Sequence, residues 1–299
     1  MSWIKDLTQE ELLLSGTTSC AGCGGVLSLR LALRILGKKT ILVVPANCTS
    51  AIQGQYPNTA FKIPVLNVAF ASGPAVASGL LAALKVRDLR DVNVVVWAGD
   101  GGTADIGLQA LSGAAHRGEN MIYICYDNEG YMNTGIQESG ATPYGAWTTN
   151  APTGKRRFKK DLPFIMREHK IPYVATANIS YPQDYIQKLR KAQTYEGLKY
   201  IHLLSPCPPG WRIPASETVR IGKLAVETGA WVLFEIENGK FRLTGPSVSL
   251  VEEARRKPLE EYLKMQERFA KMTPEDIGVL KDWINGVWKR YIQLEKEEC

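Results

Sequence analysis

Histidine is scarce in this chain: three among 299 residues, His116, His169 and His202, far apart. The first two close predicted helices, where a ring serves the helix dipole or stays solvated, and the third lies in a predicted strand, so a catalytic histidine base is the minority reading. No serine sits in a Gly-x-Ser-x-Gly elbow, and Ser139 and Ser205 therefore lend no support to serine hydrolase chemistry. Internal repeats are lacking, as is any linker rich in Pro, Gly or Ser. The segment Met1-Ser2-Trp3-Ile4-Lys5-Asp6 has no apolar core and no cleavage site, which points away from secretion and toward the cytoplasm. A strong excess of one charge sign is missing too. Thirty-six Lys and Arg face 30 Asp and Glu, a net charge of +6, without a basic helix or aromatic-interleaved strip, so no nucleic-acid partner is expected. The one dense basic run, residues 154–160, is expected to be a solvated loop patch. Residues 63–84 carry no charge and are long enough to span a bilayer. Asn67, Ser72, Gly73, Pro74, Ser78 and Gly79 interrupt them, however, and the pattern reads strand, turn, helix. No membrane partner is expected; this stretch should be buried by its own core or by a partner chain.

What is present fits a globular α/β protein: 45% hydrophobic, 22% charged and 9% aromatic residues. Short apolar runs alternate with helical patterns, the signature of a mainly parallel sheet covered by helices. Strands are predicted at 40–44, 65–70, 93–98, 121–127, 173–176, 199–204 and 231–237. Helices are predicted at 24–36, 74–85, 103–117, 162–169, 182–194 and 216–227. Residues 130–160, rich in Gly, Thr and Asn, read as a long functional loop. The chain divides into a domain at 1–255 and a helical extension at 256–299. Within the extension, helices at 259–272 and 274–297 are predicted, the second with Thr273 as N-cap and Pro274 at its first position.

The strand at 93–98 runs into Gly99-Asp100-Gly101-Gly102-Thr103 and then a helix. Glycines let backbone approach an anion, and free N–H groups at a helix start bind phosphate oxygens. The next strand ends in Asp127-Asn128-Glu129-Gly130, on the same edge of a parallel sheet, so Asp100 and Asn128 can meet. A carboxylate, an amide oxygen and a backbone carbonyl make a hard site suited to Mg²⁺. The dinucleotide pattern G-x-G-x-x-G is absent, and an acid inside the turn would repel a pyrophosphate unless a cation lay between them. A metal-bridged diphosphate is favoured over NAD. Asp105, in the first helical turn, reads as a helix-start residue.

Cys20-Ala21-Gly22-Cys23 precedes a helix, and Cys48 and Cys207 each follow a predicted strand. In a chain without an export signal such thiols read as metal ligands, redox groups or core residues rather than disulfides. Four of them can converge as a Cys₄ site, whose spacing admits either Zn²⁺ or a [4Fe–4S] cluster. Cys125 reads as core, and Cys299 is given no role.

The text Gly99-Asp100-Gly101-Gly102-Thr103-Ala104-Asp105-Ile106-Gly107, Asp127-Asn128-Glu129, Tyr131-Met132-Asn133-Thr134-Gly135 and Ala141-Thr142-Pro143 resembles the β subunits of the 2-oxoacid:ferredoxin oxidoreductases, their pyruvate (pyruvate synthase) branch above all. The resemblance spans essentially the whole chain. It implies a thiamine-diphosphate-binding fold and oxidative decarboxylation of a 2-oxoacid with coenzyme A, electrons passing to ferredoxin. It further implies that Asp100, Asn128 and the Gly130 carbonyl hold Mg²⁺, that Gly99, Gly101, Gly102 and Thr103 cradle the diphosphate, and that Asn133 bonds the substrate. Cys20, Cys23, Cys48 and Cys207 would hold a [4Fe–4S] cluster. Gly130 departs from the bulkier residue the family leads one to expect. The activating carboxylate would come from an α subunit, with γ and ferredoxin-like δ subunits completing the assembly, so this chain alone would be inactive. Pyruvate, branched-chain 2-oxoacids, 2-oxoglutarate and oxalate all stay open as substrates. The rivals are a noncatalytic Cys₄ zinc protein of the same fold and a nicotinamide dehydrogenase.

Overall fold

In the computed structural model, residues 7, 9–55 and 57–298 are described; Cys299 and the first six residues lie outside them. Strands form where β-branched and aromatic residues cluster: β1 (Thr40–Pro45), β2 (Val65–Val68), β3 (Asn93–Gly99), β4 (Ile122–Asp127), β5 (Tyr173–Asn178), β6 (Lys199–Leu204), β7 (Phe234–Glu237) and β8 (Lys240–Leu243). They make one sheet in the order β2-β1-β3-β4-β6-β5-β7-β8. The first six pair in parallel, while β7 and β8 add antiparallel to the β5 edge. Helices cover both faces: α1 (Gly24–Leu36), α2 (Cys48–Ile52), α3 (Gly73–Val86), α4 (Leu108–His116), α5 (Leu162–Glu168), α6 (Pro182–Ala192), α7 (Pro208–Trp211), α8 (Thr218–Glu227), α9 (Leu259–Lys264) and α10 (Pro274–Glu298).

The pleat sorts side chains into two cores. Val94, Val96 and Ala98 of β3 face one core, which also holds Leu111 of α4 and Leu280, Ile284, Trp288 and Tyr291 of α10. Val95 and Trp97 face the other, with Leu29 and Leu33 of α1 and Leu189 of α6. The extension beyond residue 255 thus shares its core with the sheet. The uncharged stretch is less buried than expected: β2 is largely open at the sheet edge, and α3 buries only Gly73, Pro74 and Ala77. No helix among the described residues is long and apolar enough to cross a membrane.

Several boundaries differ from the expectations. The helix expected over 103–117 begins as a wide π turn, Gly102–Ile106, before α4. A wide turn re-aims backbone groups, and π turns concentrate at functional sites. The segment expected as one helix at 259–272 stops at Lys264 and resumes as a 3-10 turn at Glu267–Phe269. β2 ends at Val68, and strand β8 had no expectation attached to it.

Candidate functional site

In a sheet of this order the chain leaves β1 toward β2 on one side, whereas β3 leads to β4 on the other. Loops after β1 and β3 therefore part, and doubly wound sheets bind ligands in that crevice. The predicted residues sit there: Cys48 after β1, Gly99 to Thr103 after β3, Asn128 to Gly130 after β4, with Asn47, which had no expectation attached to it, beside Cys48. Gly99, Gly101, Gly102, Asn128, Gly130 and Asn133 line one cavity of about 80 Å³.

Asp100 is fully buried and accepts hydrogen bonds from the Asn128 N–H (3.3 Å) and from the Ser139 hydroxyl. Burial, with the charge of Asp127 behind it, pushes its carboxyl well above the ordinary range. The Asn128 side-chain oxygen stands 2.9 Å from Asp100 Oδ1 and 2.9 Å from the Gly130 carbonyl, three oxygens with no N–H among them. Turning the amide would let its N–H₂ donate to both; a cation among the three oxygens satisfies them as they stand. Adjacent ligands of an octahedral Mg²⁺ with bonds of 2.0–2.1 Å lie about 2.9 Å apart, so the donor set fits that ion. The cation also answers the buried charge of Asp100, which a turned amide leaves without a counter-ion. Thr103 spends its hydroxyl inward, on the Gly99 carbonyl (2.8 Å) and Tyr123 (2.9 Å). Gly130 has a local reason: a Cβ there would meet Met132 Cε at 3.0 Å and the Gln137 carbonyl at 3.1 Å.

Behind this turn lies a network that sequence reasoning did not foresee. Asp127 is fully buried and pairs with His202 Nε2 at 2.9 Å, while His202 Nδ1 meets the Tyr200 hydroxyl at 2.7 Å. Burial alone would raise Asp127, but Lys159 and His202 hold it below the usual carboxylate range. The carboxylate therefore takes the Nε2 proton, and Nδ1 accepts from Tyr200. Glu129, also buried, pairs with both Lys159 and Arg268.

The basic run is only in part the solvated patch its composition implied: Arg156, Arg157 and Lys160 are exposed, whereas Lys155 and Lys159 turn inward. Lys155 is 3% exposed and donates to the Ser139 (2.9 Å) and Thr142 (2.8 Å) carbonyls. Arg156 pairs with Asp276, Arg157 with Glu138, Lys159 with Glu129, and Lys160 with Asp105 at 2.7 Å. Acids brought together from four places along the chain turn the run into a strap across the site. Asp105 is accordingly an anchor for this loop, accepting also from the Tyr131 hydroxyl (2.9 Å) and the Gly140 N–H (3.0 Å).

Cys20, Cys23, Cys48 and Cys207 line a second cavity, of about 280 Å³. Asn47 caps α2 by accepting from the Thr49 N–H at 2.7 Å and ties to the carbonyls of Pro45 and Trp97, which fixes Cys48 at the helix start. Gly24 lets the Cys20–Cys23 turn close on the loop before Cys207: its N–H bonds the Pro206 carbonyl at 3.1 Å, and a Cβ would stand 2.7 Å from that oxygen. Burial pushes the thiol of Cys48 up to about 11 and that of Cys207 up to about 12, with the neighbouring thiols adding to both. Such groups become thiolates when a metal takes the proton's place. Among the described residues, no three His, Cys, Asp or Glu side chains gather tightly enough for a single metal ion. The four thiols edge one cavity together, a donor set that zinc or an iron–sulfur cluster takes. Cys125 is buried in the core, as expected.

The two cavities share a wall of Cys48, Tyr126, Asn128, Met132 and Asn133. Of these, Tyr126 and Met132 were not singled out from sequence. The alternation of β4 marked Tyr126 only as core, and no residue-type rule marks Met132.

A family model described as the thiamine pyrophosphate enzyme, C-terminal TPP binding domain, matches residues 47–203, just over half of the chain. Pyruvate synthase subunit PorB of Methanothermobacter thermautotrophicus is 53% identical over 286 residues, covering 94% of this chain and 97% of the relative. Ketoisovalerate oxidoreductase subunit VorB of Pyrococcus abyssi is 50% identical over 295 residues, covering 95% and 94%. Among solved structures, the 2-oxoglutarate:ferredoxin oxidoreductase from Magnetococcus marinus with 2-oxoglutarate, coenzyme A and succinyl-CoA bound is similar in fold, at a TM-score of 0.58 and 24% identity over 73% of this chain and 82% of that one. The chain is a member of the β-subunit family of the thiamine-diphosphate-dependent 2-oxoacid:ferredoxin oxidoreductases.

Proposed function

We propose that this β subunit belongs to a pyruvate:ferredoxin oxidoreductase, which turns pyruvate and coenzyme A into acetyl-CoA and CO₂ while reducing ferredoxin. The observation that carries the reading is the shared wall: an oxygen-lined, glycine-edged cavity stands directly beside a cavity lined by four cysteines. In this reading the side chains of Asp100 and Asn128 and the Gly130 carbonyl hold Mg²⁺. Gly99, Gly101, Gly102 and Thr103 offer backbone to the diphosphate. Cys20, Cys23, Cys48 and Cys207 bind a [4Fe–4S] cluster. When bound, thiamine diphosphate supplies an electron sink for decarboxylation and the cluster a one-electron acceptor beside it. Asn133, exposed on the shared wall, offers its carboxamide to the reacting oxygen of the 2-oxoacid. Tyr126 and Met132 fill the space between the cavities, and the side chain of Tyr126 is held by stacking on Trp97 at 5.2 Å.

The α subunit completes the site with its pyrimidine-binding domain and activating carboxylate, and γ and ferredoxin-like δ subunits carry electrons onward in the cytoplasm. A branched-chain substrate is the second reading. It is favoured by one comparison: the ketoisovalerate subunit of Pyrococcus abyssi is 50% identical, against 42% for the pyruvate synthase subunit of Pyrococcus furiosus. Identity thus does not sort these relatives by substrate.

The test is anaerobic purification with the native partner chains. CoA-dependent reduction of a viologen dye would then be followed across pyruvate, 2-oxoisovalerate, 2-oxoglutarate and oxalate. Pyruvate is expected to give the highest kcat/KM; a higher value with 2-oxoisovalerate moves the assignment to the second reading. No reduction with any 2-oxoacid, or a colourless preparation containing zinc and no iron, overturns the proposal.

A further inference from the structure

Glu129 lies between two of the proposed Mg²⁺ ligands, and its backbone is in the left-handed region, at φ +66°. A bulky residue there is strained and persists only where its surroundings over-determine it. Here they do, through four hydrogen bonds and ion pairs. The Glu129 N–H donates to Asp127 Oδ1 at 2.8 Å, and its carbonyl accepts from the Thr142 hydroxyl at 2.8 Å. Its carboxylate takes Lys159 on one oxygen and Arg268 on the other.

Arg268 touches the same turn by a second route. Its guanidinium lies 4.0 Å from the centre of the Trp211 ring, and the Trp211 indole donates to the Asn128 carbonyl at 2.8 Å. The arginine is itself 2% exposed and is fixed by Gln266 Oε1 at 2.9 Å. Its own carbonyl accepts from the Trp147 N–H at 2.7 Å, tying it into the loop that carries the basic strap. One buried cation from the C-terminal extension therefore braces both residues flanking the turn, Asn128 through Trp211 and Gly130 through Glu129.

We infer that Arg268 is a positioning residue, acting through Glu129 and Trp211 to hold the Asn128 and Gly130 oxygens in the spacing that an Mg²⁺–diphosphate needs. The inference rests on the metal reading proposed above. Residues that orient metal ligands without touching the metal affect affinity by about 10–100-fold when replaced, and the same range is expected here.

The experiment uses the assembled complex freed of divalent cations and titrates Mn²⁺ with thiamine diphosphate present, following the loss of the free Mn²⁺ EPR signal. Arg268→Gln is expected to weaken Mn²⁺ binding by about 10–100-fold. It should raise the KM for thiamine diphosphate while kcat at saturating cofactor stays within about threefold. Arg268→Lys, which keeps charge without the planar fork or its stacking, is expected to recover part of the affinity. Leu280→Ala, a core residue of α10 in the same extension, is expected to lower thermal stability and leave Mn²⁺ affinity unchanged. If Arg268→Gln does not assemble, Glu129→Gln carries the test, with the same weakening expected. Normal Mn²⁺ affinity in whichever variant is read, or equal weakening in Leu280→Ala, overturns the inference. A wild-type complex that takes up no Mn²⁺ with thiamine diphosphate overturns the metal reading instead.

Discussion

At the scale of single residues, the site is built from groups that oppose folding when no ligand is bound. Asp100 is the clearest: its raised carboxyl means the unfolded chain ionises at ordinary acidity while the folded site resists. Stability is therefore lost as pH rises above the unfolded value near 3.9. Asp100→Asn removes that charge and places an N–H donor where three oxygens now lack one. The cofactor-free variant is expected to melt above wild type, and to lose the rise in Tm that Mg²⁺ and thiamine diphosphate give the wild type, a trade common at functional sites. Scanning calorimetry with and without the pair checks both halves; a Tm rise retained by the variant would remove Asp100 from the metal site. Lys199, outside the site, opposes folding for the same reason, the burial of a charge. It is 4% exposed in β6, and burial lowers its ammonium to about 8. A lysine depressed in the fold binds fewer protons folded than unfolded between about pH 8 and 10.5, so stability rises with pH in that window. Lys199→Met cancels the effect. The stability of wild type over the variant should grow by about 2 kcal/mol from pH 7.5 to 9.5 in urea unfolding. A difference that does not change with pH would refute it.

Elements were legible where local chemistry decides them. The apolar runs of β3 and β4, the Gly-rich turn after β3 and the start of α10 depend on neighbours in sequence, and each stands where it was expected. Thr273 caps α10 as read: its hydroxyl accepts from the Asp276 N–H at 3.2 Å, and Asp276 Oδ2 accepts from the Thr273 N–H at 3.1 Å. Loss of such a cap costs about 1 kcal/mol. Thr273→Ala is expected to show that in chemical unfolding, with thiamine diphosphate affinity unchanged; an unchanged midpoint would mean that Asp276, held also by Arg156, fixes the helix start alone. What sequence did not disclose depends on residues far apart. The basic run reads as solvated because its partners, Asp105, Glu129, Glu138 and Asp276, come from other loops and helices. His202 looked idle for the same reason, since Asp127 reaches it only through the pairing of β4 with β6. The four cysteines were legible as candidates. That they surround a cavity instead of a point required the loop after β6 to close on Gly24.

At the scale of the whole molecule, the chain keeps a feature that its own fold does not use. α3 is apolar along its length, yet Ala75, Gly79, Ala82, Ala83 and Val86 are exposed on it. Glycine inside a helix costs roughly 0.5–1 kcal/mol against alanine. Beyond its own helix, no described atom lies within 4 Å of where a Gly79 Cβ would sit. The cost therefore has no return among the described residues, and the same helix packs against β1 and β3, the strands that flank the crevice. A glycine facing outward beside small residues lets another backbone come close, and the α subunit is the chain the proposed reaction requires there. Gly79→Gln separates the two scales. In the β subunit by itself it is expected to raise stability by roughly 0.5–1 kcal/mol, because a better helix former replaces glycine without meeting an obstacle. In the complex it is expected to weaken association with α, read by size-exclusion chromatography and by the α concentration needed for half-maximal viologen reduction. A variant that is more stable alone and assembles as wild type would show that α docks elsewhere. A less stable variant would show that α3 already has a partner within the chain.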